Sequence, residues 1–168
     1  TKDEAWEEQI IPPRPPLPSG VPNYVTPRGL RLLHAELAQL EAERHRLDAD
    51  RRDEVEYRRR LAILSGRTRD LTARIVSAAV VEPRHQPRNE VRFGAKVTLR
   101  TVSGEHAGEE RRLEIVGIDE ADAAHGRVAF TAPIARVILG RGVGDTASLD
   151  SPRGKNLLQV VSIDYTAD

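Results

Sequence analysis

The chain has 168 residues, of which 39% are apolar and 31% are charged. That length suits one ordinary domain or two small ones, with a modest core rather than the core of a large enzyme. The 26 basic and 26 acidic side chains cancel, so no net field draws the protein to free DNA or to an anionic membrane. The lack of cysteine excludes disulfide frameworks, thiol nucleophiles and zinc ribbons, and is typical of a reducing compartment.

Metal-ligand patterns and membrane signals are missing from the sequence as well. The five histidines have no paired spacing, and the acids at 119 to 122 read as a turn rather than a metal loop. We therefore expect no cofactor of the protein's own. No apolar run approaches the roughly 18 to 20 residues of a membrane helix, and the first residues do not resemble a signal peptide. These features predict a soluble, cytoplasmic protein with no membrane partner.

Residues 1 to 23 are predicted to form a disordered acidic and proline-rich tail. An acidic cluster at 3 to 8 is followed by IIPPRPPLPSGVP, whose prolines lack backbone donors and prevent a helix. A plain spacer is the simpler interpretation of this segment. A proline-rich ligand for a partner groove is the alternative, and the lone Trp6 favours it.

Residues 24 to 82 are predicted to form an antiparallel α-helical coiled-coil hairpin. Thr26 and Pro27 suit the N-cap and first position of a helix, and apolar residues then recur at alternating steps of three and four. They are Leu30, Leu33, Leu37, Leu40 and Leu47 in the first arm and Tyr57, Leu61, Leu64, Thr68, Leu71, Ile75 and Ala78 in the second. Two such stripes can cover each other. Arg44 and Thr68 weaken the seam for pairing between molecules, so we expect a monomer.

The turn of this hairpin is placed in LDADRRDEVE, residues 47 to 56. The apolar stripe lapses there, and three aspartates offer caps for a new helix. Ser65-Gly66 is the rival turn. The stripe keeps its phase across that dipeptide, however, and one glycine inside a helix costs only about 1 kcal/mol relative to alanine. We therefore favour the first turn.

A second, β-rich domain is predicted over residues 91 to 168, after a linker at 83 to 90 in which two prolines block further helix. From Val91 to Leu99 apolar residues alternate with polar ones, as in a strand. RRLEIVGI, GRVAF, DTASLD and LLQVVSIDY are further strand candidates between turn-rich segments. TAPIARVILGRGVGD predicts one short helix that stops at Gly140. The predicted fold class is therefore α+β.

Four segments of the second half carry a resemblance to a known family. FGAKVTL, LEIVGIDEAD, APIARVILGRGVGD and VVSIDY occur in the order and approximate spacing of the Gre family (GreA/GreB) of bacterial transcription elongation and transcript cleavage factors. The resemblance covers residues 23 to 166, and the lead-in NYVTPRG is closer to the GreB branch. It implies that the β-rich domain is FKBP-like and docks on the RNA polymerase core, at the rim of the secondary channel. The hairpin then reaches towards the active site.

The resemblance also implies chemistry at the hairpin tip. Family members carry a loop such as GDLKENAEY, whose acids help to hold a second Mg²⁺ while the polymerase cuts its own backtracked RNA. In the matching segment ADRRDEVEY, Asp50 and Asp53 fall on two of those acids, and Glu56 and Tyr57 also match. Asp50 and Asp53 are thus the candidate catalytic and metal-binding residues, acting only in complex with the polymerase, whose Mg²⁺ they would share beside the 3′ end of the nascent RNA. The alternative is that they cap a helix and face water.

The 131 to 136 segment corresponds to the family's docking loop. Where the family has an acidic or amide residue followed by Ser-Pro, this chain has Thr131-Ala132-Pro133, and then Ile134 and Arg136, which fit the family pattern. These five are the candidate partner-binding residues. A purely structural role of Pro133 and Ile134 as core helix residues remains the alternative. DNA would be reached only through the polymerase.

The first arm of the hairpin is short for the family. Between the TPRG lead-in and the tip tyrosine the chain is about ten residues shorter than typical members, which removes on the order of 15 Å of reach at about 1.5 Å per helical residue. We therefore predict a secondary-channel elongation factor that is not itself an enzyme and for which cleavage stimulation is not expected. The alternatives are a non-cleaving regulator that competes with other channel factors, and a coiled-coil adaptor for another partner.

Overall fold

The computed structural model describes residues 14 to 166, which form two compact units. One unit comprises residues 14 to 23 and 30 to 78, and the other comprises residues 24 to 29 and 79 to 166. No helix in this described range combines the length and apolarity needed to cross a membrane. The predicted acidic cluster and Trp6 lie outside the described residues.

The helical hairpin has its turn where the sequence predicts it. Helix α1 runs over Pro27–Ala49 and helix α2 over Glu54–Ser77, so residues 50 to 53 connect them. The rival turn at Ser65-Gly66 lies inside α2. Asp53 is the N-cap of α2, and its carboxylate accepts a hydrogen bond from the amide of Glu56 at 3.1 Å. The capping carboxylate of Asp53 thus marks the start of α2, and Gly66 does not interrupt that helix.

The seam of the hairpin is narrower than the predicted stripe. The buried apolar side chains recur at every seventh residue and are Leu33, Leu40 and Leu47 in α1 and Tyr57, Leu64 and Leu71 in α2. The remaining predicted seam positions are only half-buried, and Arg44 is exposed. A two-helix hairpin covers each stripe from one side only, so a single position of each heptad is fully buried.

Residues 14 to 23 differ from the expected disordered tail, because they contact the hairpin. Arg14 forms an ion pair with Glu36 of α1, and the guanidinium of Arg74 in α2 donates to the carbonyl of Pro15. The side-chain amide of Asn23 donates to the carbonyl of Arg74 at 2.9 Å. Prolines donate no backbone hydrogen bond, but their carbonyls still accept, and a buried arginine supplies the donor here.

The β-rich unit contains a five-stranded mixed sheet in the order β5-β4-β3-β7-β6 and a two-stranded parallel pair, β1-β2. In the large sheet only β4 and β5 are parallel. The strands are β1 (Tyr24–Val25), β2 (Ala79–Val80), β3 (Lys96–Ser103), β4 (Glu110–Val116), β5 (Arg127–Ala129), β6 (Thr146–Ser151) and β7 (Gly154–Asp164). One short helix, α3 (Pro133–Ile138), completes the predicted α+β fold, with single 3₁₀ turns in the connections.

The core of this unit lies on one face of the sheet. Alternate residues of β3, β4 and β7 are buried there, and α3 covers them with Ile134, Ala135 and Ile138. The helix ends at Ile138, and Gly140 follows with φ +84°. That left-handed conformation suits glycine, as the sequence predicts for the residue that stops this helix.

The strand predicted from Val91 begins only at Lys96. Val91, Phe93 and Ala95 are buried in the predicted alternation, but their backbone is turned rather than extended. The amide of Ala95 donates to the carbonyl of Arg92, and Gly94 between them has φ +88°. The glycine therefore allows a turn at a place where the hydrophobic pattern alone indicates a strand.

The first turn of α1 belongs to the β-rich unit and is fixed there by a buried carboxylate. The Thr26 hydroxyl donates to Glu120 at 2.5 Å and accepts from the amide of Gly29 at 3.0 Å. Arg28 donates to Glu120 at 2.6 Å and to Glu114 at 2.8 Å. Burial lowers the pKa of Arg28, but hydrogen bonds and charges of the two glutamates outweigh burial and raise that pKa above its ordinary value. We call these five residues the Glu120 junction.

The close approach of Glu120 to Gly29 generates a prediction about stability. A Cβ at Gly29 would lie 2.8 Å from the Glu120 carboxylate, whose position is fixed by Thr26 and Arg28. We expect Gly29→Ala to lower the free energy of unfolding of the β-rich unit by about 1 to 2 kcal/mol, because the disrupted hydrogen bonds outweigh the gain in helix propensity. Amide hydrogen exchange, which resolves the two units separately, measures this difference.

Gly66→Ala in the middle of α2 is the matched control. The nearest atom to its new Cβ is the end of the Arg69 side chain at 3.8 Å, so only the helix propensity changes. The hairpin should gain up to about 1 kcal/mol. A stabilising effect of Gly29→Ala in the β-rich unit would contradict the proposed constraint.

Candidate functional site: the hairpin tip and the 131 to 136 loop

The structure places both candidate acids in the connection between α1 and α2. The carboxylate of Asp50 receives two hydrogen bonds from Arg52, from Nε and Nη2, each at 2.8 Å. This pairing raises the pKa of Arg52. Asp53 serves as the N-cap of α2, where the helix dipole also favours its negative charge. Both acids therefore already have partners within the tip.

The two glutamates at the start of α2 are paired with arginines in the same way. Glu54 lies 3.3 Å from Arg51 and 3.5 Å from Arg58. Glu56 accepts from Arg59 at 2.7 Å and from Arg60 at 2.6 Å. The hydrogen bonds from Arg59 and then from Arg60 lower the pKa of Glu56 to about 2. Glu56 is thus ionised at any physiological pH, and its charge is compensated locally.

Tyr57 connects the end of α1 to the start of α2. Its buried ring carries a hydroxyl that donates to Asp48 at 2.7 Å, and that hydrogen bond together with desolvation raises the pKa of the tyrosine. The guanidinium carbon of Arg51 lies 4.2 Å from the centre of the same ring, a cation–π distance. Arg44 approaches the other oxygen of Asp48 at 3.7 Å. Tyr57 thereby fixes the geometry of the four-residue connection.

Carboxylate oxygens are suitable Mg²⁺ ligands, but the tip does not form a chelating cluster by itself. Within residues 14 to 166, no group of three or more histidine and acidic side chains is arranged to hold a metal ion. Asp50 and Asp53 lie in the same short loop, as predicted. Each of them already has a partner in the tip, Asp50 in the guanidinium of Arg52 and Asp53 in the amide of Glu56.

The second candidate site surrounds the start of α3. Ala132 is the N-cap without a side-chain hydrogen bond, and Pro133 is the first helical residue. Pro133 and Arg136 are exposed, Thr131 and Ala132 are half-buried, and Ile134 is 9% exposed within the core. The five candidate residues therefore form one contiguous loop and helix end, in which Ile134 packs inwards and the other four have exposed surface.

An aromatic cluster next to this loop was not anticipated from the sequence. The rings of Tyr24, Phe93 and Phe130 lie 5.5 to 5.8 Å apart, pair by pair. Phe130 directly precedes Thr131, and Tyr24 is 37% exposed. The three aromatics come from separate segments with no local pattern in common, so only the tertiary fold reveals the cluster. It supports the loop from one side through ring packing.

Comparison with known proteins places these features in a family. Residues 86–165 match the family model described as "Transcription elongation factor, GreA/GreB, C-term". Two solved structures cover most of the chain. GreA factor homolog 1 (Gfh1) of Thermus thermophilus has a TM-score of 0.39 and 21% identity, covering 86% of this chain and 99% of its own. A GreA/GreB factor from Nitrosomonas europaea has a TM-score of 0.41 and 22% identity, covering 84% and 98%.

Full-length relatives are more similar in sequence. The transcription elongation factor GreB of Neisseria meningitidis serogroup A is 34% identical over 157 residues, covering 85% of this chain and 94% of the relative. The transcription elongation factor GreA of Francisella philomiragia is 34% identical over 158 residues, covering 84% and 95%. Such identity extends over both the hairpin and the β-rich unit. This chain therefore belongs to the GreA/GreB family of transcription elongation factors.

Proposed function

We propose that this protein is an elongation factor that binds the bacterial RNA polymerase core in the cytoplasm and acts through its secondary channel. The hairpin enters the channel, beside the 3′ end of the nascent RNA, and the 131 to 136 loop docks the β-rich unit on the polymerase. The protein modulates paused or backtracked complexes and has no enzymatic activity alone. Its membership of the GreA/GreB family supports the general role, and the tip supports a form without RNA cleavage.

The proposal that the protein does not stimulate RNA cleavage rests on one observation: each acid from residue 50 to residue 56 already has a partner within the tip. From residue 50 to residue 60 the chain has four acids and five arginines, and each of these acids already has a partner there, so little of their charge is left for a divalent cation. To bind Mg²⁺, Asp50 must separate from Arg52, and Asp53 must give up a cap that contributes about 1 kcal/mol to the helix. The local electrostatics thus oppose the recruitment of a second Mg²⁺.

A short hairpin adds a geometric reason. The alignment with the Neisseria GreB spans 157 positions but uses only 85% of this 168-residue chain, so some positions have no counterpart here. We place these positions in the first arm, which α1 spans with 23 residues. A tip withdrawn by on the order of 15 Å would not bring Asp50 and Asp53 to a metal at the polymerase active site, because errors of about 1 Å already impair catalysis.

The first experiment is transcript cleavage in purified, backtracked elongation complexes, with binding measured in parallel. We expect the wild-type protein to bind the polymerase without accelerating RNA cleavage, and the Asp50→Ala/Asp53→Ala variant to behave in the same way. A GreB relative with a full-length hairpin is the positive control. Cleavage by the wild type that disappears in the double variant would contradict the non-cleaving form and identify a cleavage factor.

The docking loop is tested by charge reversal at its exposed arginine. Arg136 lies on the exposed side of α3, and loss of a charged contact with the polymerase should weaken binding about tenfold, equivalent to about 1.4 kcal/mol. We expect this loss for Arg136→Glu in a fluorescence binding titration with the polymerase core.

Arg153→Glu is the matched control for that titration. Arg153 is also an exposed arginine of the β-rich unit, but it lies in the turn between β6 and β7. Arg136 instead lines a surface hollow together with residues at the start of β6, the end of that strand away from Arg153. Reversal of the charge at Arg153 should leave the affinity unchanged. Polymerase binding that survives Arg136→Glu would mean that a different surface of the protein docks on the polymerase, and a wild-type protein that does not bind the polymerase would favour the adaptor alternative.

A further inference from the structure

A concave site of about 500 Å³ lies on the polar side of the five-stranded sheet. Two rows of side chains cross the strands beneath it. Ser162, Thr98 and Arg112 are neighbours across β7, β3 and β4, and Asp164, Lys96, Glu114 and Arg127 are neighbours across β7, β3, β4 and β5. Adjacent strands are about 4.8 Å apart, so each row extends over a length suited to a small ligand. We call this site the sheet pocket.

The charges of the second row largely compensate each other. Acidic and basic residues alternate along that row, and Glu114 also receives two hydrogen bonds from Arg28 in the Glu120 junction. The first row has no acid. Arg112, in this row, has no carboxylate within ion-pair distance among the described residues, whereas Arg127 lies beside Glu114 in the second row and interacts with the charge of Asp122. An anion entering the sheet pocket would therefore meet Arg112 directly and would compete with these acids for Arg127.

The other polar groups of the pocket indicate which anion fits. The hydroxyls of Thr98 and Ser162 lie in the same row as Arg112 and can donate to further oxygens of a phosphate. Arginine binds phosphate through two parallel hydrogen bonds, which makes it the preferred residue for this group. Asp164 also lines the pocket and accepts from Thr166 at one oxygen. A carboxylate at this place would repel phosphate but suits a sugar hydroxyl.

We propose that the sheet pocket binds a nucleotide. Arg112 and Arg127 hold its phosphates, Thr98 and Ser162 donate hydrogen bonds to them, and Asp164 accepts one from the ribose. The volume lies within the range of roughly 300 to 1,000 Å³ that small-molecule sites occupy. Among the described residues, the imidazole of His125 is the one aromatic ring that lines the pocket, so we expect affinity to follow the number of phosphates more than the identity of the base.

A single-stranded RNA fits these observations less well than a nucleotide. RNA-binding grooves combine a continuous basic track with aromatic rings for base stacking. The sheet pocket instead has two acids among its lining residues and belongs to a chain without net charge. A nucleotide uses both the basic and the acidic groups, whereas an extended phosphate chain would meet the acids at short range.

The test is a calorimetric titration of the purified full chain with GTP, ATP, GMP, inorganic pyrophosphate and a twelve-nucleotide RNA. We expect saturable binding of both triphosphates with similar affinity, and weaker binding of GMP. Arg112→Ala/Arg127→Ala should weaken GTP binding at least tenfold. Polymerase is absent from this assay, so its outcome is independent of the proposed role in transcription.

Arg111→Ala is the matched control, because Arg111 is exposed, precedes Arg112 in β4 and pairs with the core residue Leu99 on the other face. It should leave GTP binding unchanged. Thr98→Val, which keeps the side-chain shape, should weaken binding severalfold, and unchanged circular dichroism checks the fold of each variant. Lack of saturable GTP binding by the wild type, equal losses in Arg111→Ala and the double variant, or RNA binding tighter than GTP binding would overturn the proposal.

Discussion

The buried carboxylate of Glu120 is the constraint on which the start of the hairpin depends. A carboxyl group that is 4% exposed needs close hydrogen-bond partners, and Thr26 and Arg28 supply them from the first turn of α1. The same turn places Gly29 where a side chain would collide with Glu120. In the TPRG lead-in, Thr26 is the helix cap and Pro27 is the first helical residue. Arg28 is the charge partner of Glu120, and Gly29 is the residue that Glu120 approaches closely. Removing one partner of such a buried pair commonly costs about 3 to 5 kcal/mol, because the remaining charge stays desolvated.

The tip at the other end of α1 also contains arginine–carboxylate pairs, but these pairs are exposed to solvent rather than buried. Its arginine–carboxylate contacts are largely exposed, with Arg52 at 89% and Asp50 at 54% of their side-chain surface, and water and salt screen such exposed pairs, so they contribute little to stability. They orient the side chains but do not lock them. Tyr57, which is buried and hydrogen-bonded to Asp48, holds the backbone of the tip while the charges around it can still exchange partners. Rearranging the exposed charge pairs of the tip would therefore cost less than rearranging the buried Glu120 junction.

Local sequence patterns were sufficient to predict the helices and the turn, which are stabilised by contacts between residues a few positions apart. The heptad stripes, the cap at Asp53 and the proline at the start of α3 predicted both hairpin helices, their turn and the short helix. The contacts between residues far apart in the sequence were not predicted. Glu120 was interpreted as one acid of a turn, although its partners lie more than ninety residues away. The turn at Gly94 interrupts the alternation of apolar and polar residues, because the amide of Gly94 donates to the carbonyl of Ile115 instead of continuing the strand. Asp50 and Asp53 lie in the predicted turn, but the arginine partners of the tip acids became evident only from the side-chain geometry.

The strand alternation that builds the core also separates two surfaces of the β-rich unit. Side chains of β3 and β4 that point one way pack under α3, which carries the 131 to 136 loop, and those that point the other way line the sheet pocket. Thr98 and Arg112 are each flanked in sequence by core residues such as Val97 and Leu113, so neither face can shift its register without disturbing the other. The same strands thus support the proposed docking loop on one face and the proposed nucleotide pocket on the opposite face. A ligand in the pocket would act on polymerase binding through its own contacts there, because a close-packed core leaves the strands little room to move.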